Sequence, residues 1–345
     1  MKKTLILLVT VLLTVISCTS DKKTAETPAE TKTPFFWEAA NVYFLLTDRF
    51  KNGDTTNDVN FDRTEETAVL RGFKGGDLKG ITQKIEEGYF TDLGINAIWL
   101  NPFVENIHDG VDEGTGYTYG YHGYWAKDWT QVDPNFGTRE DLETFVKTAH
   151  ENGIRVVMDV VLNHTGPVTE EDPFWGTDWA VQGPPCTYKS AATTIDCTLV
   201  ENLPDIKTGS TKEVGLPEPL AAKWKAEGRY ASEMEELDIY FAESGLKRTP
   251  RNYIIKWLTD YVRELGIDAY RVDTAKHVEV EAWKVLRAEA DRAFASWKEN
   301  NEATVLDDNP FYMYGEVYFY SVDNGQDYDL GDQVVNYFDL KREIK

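Results

Sequence analysis

Basic residues are in short supply in this chain. Against 59 Asp and Glu there are 36 Lys and Arg, for a formal charge of −23. A surface of that sign repels nucleic-acid phosphates and anionic lipid head groups alike, which argues against a polynucleotide partner. Long apolar runs are equally scarce. The stretch from Leu5 to Ile16 is too short to span a bilayer comfortably, and no internal repeat or low-complexity run follows the N-terminal 34 residues. Cysteine is limited to Cys18, Cys186 and Cys197, so any internal staple is a single one between the last two. Histidine stops altogether at His277.

What is present is enough for a sizeable core. Of 345 residues, 41% are hydrophobic and 28% charged, which excludes a disordered or fibrous protein. Aromatics reach 13%, with 10 Trp and 18 Tyr, a density that suits a cleft stacking on weakly charged ligands such as sugars. At the N-terminus, Lys2 and Lys3 precede the apolar run in the order of an export signal. The run ends in Val15, Ile16, Ser17, Cys18, which resembles a bacterial lipobox, with Cys18 as the lipid-bearing first residue of the mature protein. An ordinary signal peptide with an incidental Cys is the alternative. Residues 19–34 are polar and read as a solvated tether, so the fold is expected from Phe35, and Cys186 with Cys197 is expected to close a loop in an exported chain.

Short apolar segments alternate with helical periodicity from there on. Strands are expected at Asn41–Leu46, Ala97–Leu100, Val156–Val161, Gly266–Val272 and Met313–Val317, and a sixth near Val334–Tyr337. Amphipathic helices are expected over Gly137–His150 and Tyr253–Leu265. This is the βαβ rhythm of a parallel sheet. The stretch from His164 to Leu237, with Pro173, Pro184, Pro185, Pro204, Pro217 and Pro219, reads as an irregular inserted subdomain. The expected layout is a lipoprotein signal at 1–18, a tether at 19–34, the first part of a barrel at 35–163, the insertion at 164–237, and the second part at 238–345.

Polar residues gather where these strands end: Gly120 to Trp125, Asp159 to His164, Arg271 and Asp273 with Lys276 and His277, and Glu316. In a parallel barrel such ends converge on one face. Strand alternation puts Arg271 beside Asp273, where a guanidinium is expected to keep the carboxylate ionised. Glu316 has no basic neighbour in sequence and is the better candidate for a protonated carboxyl. Two carboxyls with divergent pKa values form a nucleophile and acid pair for glycoside chemistry.

The segments DVVLNH (Asp159 to His164), GIDAYRVDTAKH (Gly266 to His277) and GEV around Glu316, with LPD (Leu203 to Asp205) and GYHGYW (Gly120 to Trp125), resemble those of the α-amylase family of glycoside hydrolases. That resemblance implies a (β/α)₈ TIM barrel with an irregular subdomain after strand 3. It implies that Asp273 is the nucleophile of a retaining double displacement, Glu316 the general acid/base and Arg271 the group that orients Asp273. The carboxyls in such a pair stand roughly 5 to 5.5 Å apart. His122, Tyr124 and His164 match residues that hold the reacting sugar, and Trp125 is either substrate-lining or buried. Lys276 and His277 match the leaving-group side and favour α-1,4-glucan enzymes.

Ca²⁺ is implied at two places. Asn163, Asp205 and the His277 carbonyl match the ligands that join the insertion to the barrel. Asn52, Asp54, Asn57, Asp58, Gly75 and Asp77 resemble the N-terminal calcium loop of the cyclodextrin glucanotransferase branch. The resemblance departs from the family at one point: the His-Asp segment after the seventh strand has no counterpart here, and the barrel is expected to stop after about strand 6. The 345-residue chain is accordingly expected to be a fragment, nearly inactive on starch alone. The implied activity is hydrolysis of α-1,4 bonds in starch or glycogen-type glucans, by a lipid-anchored protein at the cell envelope. Its rivals are a cyclomaltodextrinase or glucanotransferase-type transglycosylase and a non-catalytic glucan-binding lipoprotein.

Overall fold

The five leading apolar segments become one parallel sheet. Its strands are β1 (Val42–Leu45), β2 (Ala97–Leu100), β3 (Arg155–Val160), β4 (Ala269–Val272) and β5 (Tyr312–Gly315), hydrogen-bonded in that order. They are seen in a computed structural model that describes residues 34–317 and 327–336. The chain divides into residues 1–35 and Phe36–Lys345, and the sheet lies in the second unit. The signal segment, Cys18 and most of the tether lie outside the described residues. Among the described residues no helix is long and apolar enough to cross a membrane.

Burial explains the strands. Every residue of β3 is buried, as expected for a central parallel strand covered on both faces. Helix α1 (Leu78–Glu86) follows β1, α2 (Arg139–Glu151) precedes β3, α3 (Pro250–Leu265) precedes β4 and α4 (Val280–Asn300) precedes β5. The start of α2 is fixed by a capping box in which Thr138 and Asp141 satisfy each other's backbone amides. The stop of α3 is Gly266 at φ +78°, where a Cβ would lie 2.2 Å from the Trp297 ring. Only glycine permits both that turn and the close packing of α3 on α4. The core between helices and sheet includes Phe145, Trp257, Tyr261, Leu286 and Tyr270, all nearly inaccessible.

Two expectations about the fold are corrected. The strand at Val334–Asn336 exists, but it pairs antiparallel with Asp327–Asp329 in a separate ribbon and is not a sixth member of the sheet. Among the described residues the sheet therefore ends at β5 and remains open. The stretch 164–237 is also less irregular than its prolines implied, because helices Glu218–Ala226 and Tyr230–Ser244 fill its end. Pro217 and Pro219 introduce the first of these, where a missing N–H costs nothing, and the boundary at Leu237 falls inside the second. Cys186 and Cys197 are bonded as expected.

Candidate active site

Register brings the polar strand ends together. Asp159 on β3 pairs with Arg271 on β4, and Arg271 pairs in turn with Tyr314 on β5. Below this row Trp37, Trp99 and Tyr312 pack on Ala97, Val157 and Ala269, forming the apolar floor of the same face. Above it stand Asp273 and Glu316, whose backbone amides bond to Val160 and Val272.

Arg271 is the centre of the cluster. One guanidinium nitrogen donates to both Asp159 oxygens (2.9 and 3.1 Å) and to Asp273 Oδ1 (2.8 Å). The other lies 3.1 Å from Glu316 Oε1, and Glu316 Oε2 also accepts from the Thr274 amide at 3.2 Å. Asp159 is further held by the Tyr124 hydroxyl (2.8 Å) and the Trp99 indole N–H (3.1 Å). Three carboxyls thus share one cation, and Asp159, which sequence reading placed on the strand face without a role, is its most fully bonded partner.

This geometry reverses one electrostatic expectation and adds a basic partner to Glu316. Burial, with the repulsion of Asp159 behind it, raises Asp273 to about 7 despite Arg271. Burial likewise raises Asp159 to about 6, against the pull of Arg271. Glu316 is not isolated from basic groups either, because it shares Arg271 across the β4–β5 gap. Asp159 and Asp273 together therefore retain a proton well above the usual carboxylate range. Replacing the planar fork by a point charge breaks the sharing. Arg271→Lys is therefore expected to lower the melting temperature by a few degrees at pH 8 and by less at pH 5, where Asp159 and Asp273 are mostly protonated; thermal unfolding at the two pH values checks it.

The expected sugar-binding residues line one side. His164 donates from Nε2 to the Tyr124 carbonyl (3.1 Å), while His122 Nδ1 accepts from the Tyr124 amide (3.1 Å). Desolvation lowers both rings to about 4, so they are neutral donors and acceptors near pH 7. Trp125 is corrected to a buried residue, 8% exposed and packed with Ile107 and Leu203 beneath His122. Lys276 and His277 are also buried; desolvation lowers His277 to about 4, and its Nδ1 donates to the Thr194 carbonyl at 2.7 Å.

The two expected calcium regions differ. Next to His277, the inward amide atom of Asn163 lies 2.9 Å from the His277 carbonyl and 3.2 Å from Asp205 Oδ1. With nitrogen inward the amide donates to both; with oxygen inward, three oxygens converge without a donor among them. Burial, with Glu279 and Asp196 adding repulsion, raises Asp205 to about 9, so this carboxylate needs a counter-cation to ionise. In the N-terminal loop, Asn52 donates to Asp58 Oδ1 (2.7 Å) beside Gly75, where a Cβ would come within 2.4 Å of Asn52. Asn57 Oδ1 is buried without a partner. Asp54, however, is bonded to Thr56 and Lys79, and Asp77 accepts from the amides of Gly53, Asp54 and Gly80. Asn52, Asp58 and Gly75 thus meet in one place, and Asp77 lies against the backbone of Asp54. Among the described residues no group of three or more His, Cys, Asp and Glu is arranged to hold a metal.

Residues 44–190 match the family model described as alpha amylase, catalytic domain. The periplasmic alpha-amylase of Escherichia coli K12 is 35% identical over 369 residues, covering 91% of this chain and 52% of that protein. The chain belongs to the α-amylase family. A cyclomaltodextrin glucanotransferase of Thermoanaerobacterium thermosulfurigenes is 29% identical over 80% of the chain and 34% of its own length. Among solved structures, the alpha-amylase of Geobacillus thermoleovorans complexed with acarbose superposes with a TM-score of 0.54 at 27% identity, over 83% of this chain and 48% of that one. The chain thus spans about half the length of the family members it matches. The (β/α)₈ barrel of the family is represented among the described residues by five parallel strands of an open sheet.

Proposed function

We propose that the protein hydrolyses α-1,4-glucosidic bonds of starch or glycogen-type glucans with retention of configuration. The observation that carries this reading is the sharing of Arg271 by Asp273 and Glu316 at the carboxyl end of a parallel sheet. Asp273 acts as nucleophile at the anomeric carbon, and its attack removes one negative charge from the cluster as the ester forms. Glu316, the more exposed of the pair, gives its proton to the leaving oxygen and then takes one from the attacking water. Arg271 orients Asp273, and the neutral rings of His122 and His164 with Tyr124 hold the reacting sugar. Asp159 keeps Arg271 in place through two hydrogen bonds.

Calcium is proposed at Asn163, Asp205 and the His277 carbonyl, where hard oxygen donors from separate segments converge. When bound, the ion supplies positive charge that ionises Asp205 and ties the insertion to the segment after β4. A second calcium ion is proposed for the N-terminal loop at Asn52, Asp54, Asn57, Asp58, Asp77 and the Gly75 carbonyl, a reading supported by the Asn52–Asp58 contact beside Gly75 and by the buried Asn57 Oδ1 without a partner. Export is proposed from the Lys2, Lys3 and Leu5–Ile16 leader, supported by the periplasmic description of the Escherichia coli relative, and a lipid anchor at Cys18 is proposed from the sequence alone.

Glucanotransferases among the relatives make transglycosylation the second reading. Chromatography of the products from soluble starch separates the two. Linear maltooligosaccharides are expected; predominantly cyclic or elongated products would replace hydrolysis by transfer.

A further inference from the structure

One buried arginine takes no part in the sugar chemistry. The side chain of Arg63 is 1% exposed, and its ion-pair partner Asp133 is fully buried. Its guanidinium donates to both Asp133 oxygens (2.9 and 3.0 Å), to the carbonyls of Ile107 (2.8 Å) and His108 (3.3 Å), and to Asn135 Oδ1. A buried ion pair adds little net stability, because desolvation offsets its attraction, so its use is sought in what it holds in place. The chain enters Arg63 through Phe61 and Asp62, both left-handed at φ +52° and +51°. Two non-glycine residues in that region are strained, and such strain persists only where the surroundings impose it. The anchored guanidinium is what imposes it here.

What Arg63 holds is reached through Asn135, which is itself 1% exposed. Because the Asn135 side-chain oxygen accepts from Arg63, its nitrogen is the end that faces the N-terminal loop, where it donates to the carbonyls of Asn57 (3.1 Å) and Asp58 (2.8 Å). These two residues carry the unpartnered Asn57 Oδ1 and the Asp58 carboxylate that meets Asn52 beside Gly75. We propose that Arg63 is a positioning residue for this loop: through Asn135 it fixes the backbone of Asn57 and Asp58, and so sets the affinity of the loop for calcium without touching the ion. The inference rests on the calcium reading of the loop. A calcium site gathers several hard oxygens against their mutual repulsion, and the ordering is cheaper when the backbone that bears them is already fixed. With both carbonyls tied to Asn135, the Asn57 and Asp58 side chains are the groups left for the ion. A lysine at position 63 keeps the charge beside Asp133 but lacks the fork that also orients Asn135.

Calorimetric titration of the metal-free protein with calcium tests this role. The binding step that Asp58→Ala removes belongs to the loop. Arg63→Lys, and Asn135→Ala, which leaves the Arg63–Asp133 pair intact, are each expected to weaken that step roughly 10-fold or more while calcium binding at Asn163 and Asp205 is unchanged. Both act along one path, so the double variant should lose little more than the stronger single one. A loop step unmoved in folded Asn135→Ala overturns the proposal, as do losses that multiply in the double variant. So does a fall in melting temperature that is equal with and without calcium and leaves the affinity of the folded protein as it was, because a merely structural contact behaves that way. If the unaltered protein has no step for Asp58→Ala to remove, the calcium reading of the loop fails and the role of Arg63 falls with it. A step that is present but indifferent to Arg63 and Asn135 refutes the role of Arg63 alone.

Discussion

Asp273→Asn is expected to lower kcat on starch by at least about 10³-fold while raising the melting temperature at pH 8 by a few degrees. The two effects have one cause. A nucleophile must be ionised to attack, yet Asp273 is buried beside Asp159, and its pKa in the folded protein is about 7 against an ordinary 3.8. A carboxyl raised on folding contributes stability that is fully present below about 4 and lost as pH rises through about 7. At pH 8 the folded protein therefore holds a charge it would rather not hold, and the amide removes it. The gain should shrink towards pH 5, where Asp273 is mostly protonated. Thermal unfolding at both pH values, beside rates on soluble starch, reads the coupling. Appreciable turnover by the variant would remove Asp273 as nucleophile, and a lower melting temperature at pH 8 would show that its bond to Arg271 outweighs the repulsion.

Chelation is expected to have the largest effect on stability. If an ion bridges Asn163, Asp205 and the His277 carbonyl at a concentration near 1,000 times its dissociation constant, its loss costs about 4 kcal/mol. That corresponds to a fall in melting temperature on the order of 10 °C, restored by excess calcium and not by magnesium, which tolerates the irregular geometry poorly. Asp205→Asn should abolish the calcium-dependent shift, because it removes the carboxylate that only a nearby cation can ionise. A melting temperature indifferent to chelator would leave Asn163 with its nitrogen inward, bonding Asp205 and His277 directly.

Sequence patterns located the sheet well. The apolar segments at Ala97–Leu100 and Val156–Val161 read as strands, and strands stand at Ala97–Leu100 and Arg155–Val160, where extensive burial favours apolar side chains on both faces. Helix α2 was legible from its period and α3 likewise. The direction of the strand at Val334–Asn336 was not legible, since an apolar run is the same whether its neighbour runs parallel or antiparallel. Pro217 and Pro219 misled because proline marks a helix start as readily as a loop. The site shows the same limit. Motifs placed Asp273, Glu316 and Arg271 in one region, but Arg271 and Glu316 stand 45 positions apart in sequence, and only strand register shows them 3.1 Å apart. Adjacency in sequence suggested that Arg271 would keep Asp273 ionised. The depth of the pair, and the third carboxyl brought in by β3, decide the opposite sign. In the N-terminal loop, acidic spacing suggested ligands, but that Asp77 also caps a helix and Asp54 also pairs with Lys79 is visible only in the fold.

The central claim is a covalent intermediate on Asp273 within a retaining hydrolysis. The most direct measurement combines proton NMR of the first anomer released from maltoheptaose with mass spectrometry of the protein trapped by a slow fluorinated glucosyl substrate. The α-anomer is expected first, with the trapped sugar on the peptide containing Asp273. Release of the β-anomer, or a sugar attached to Glu316, would contradict it.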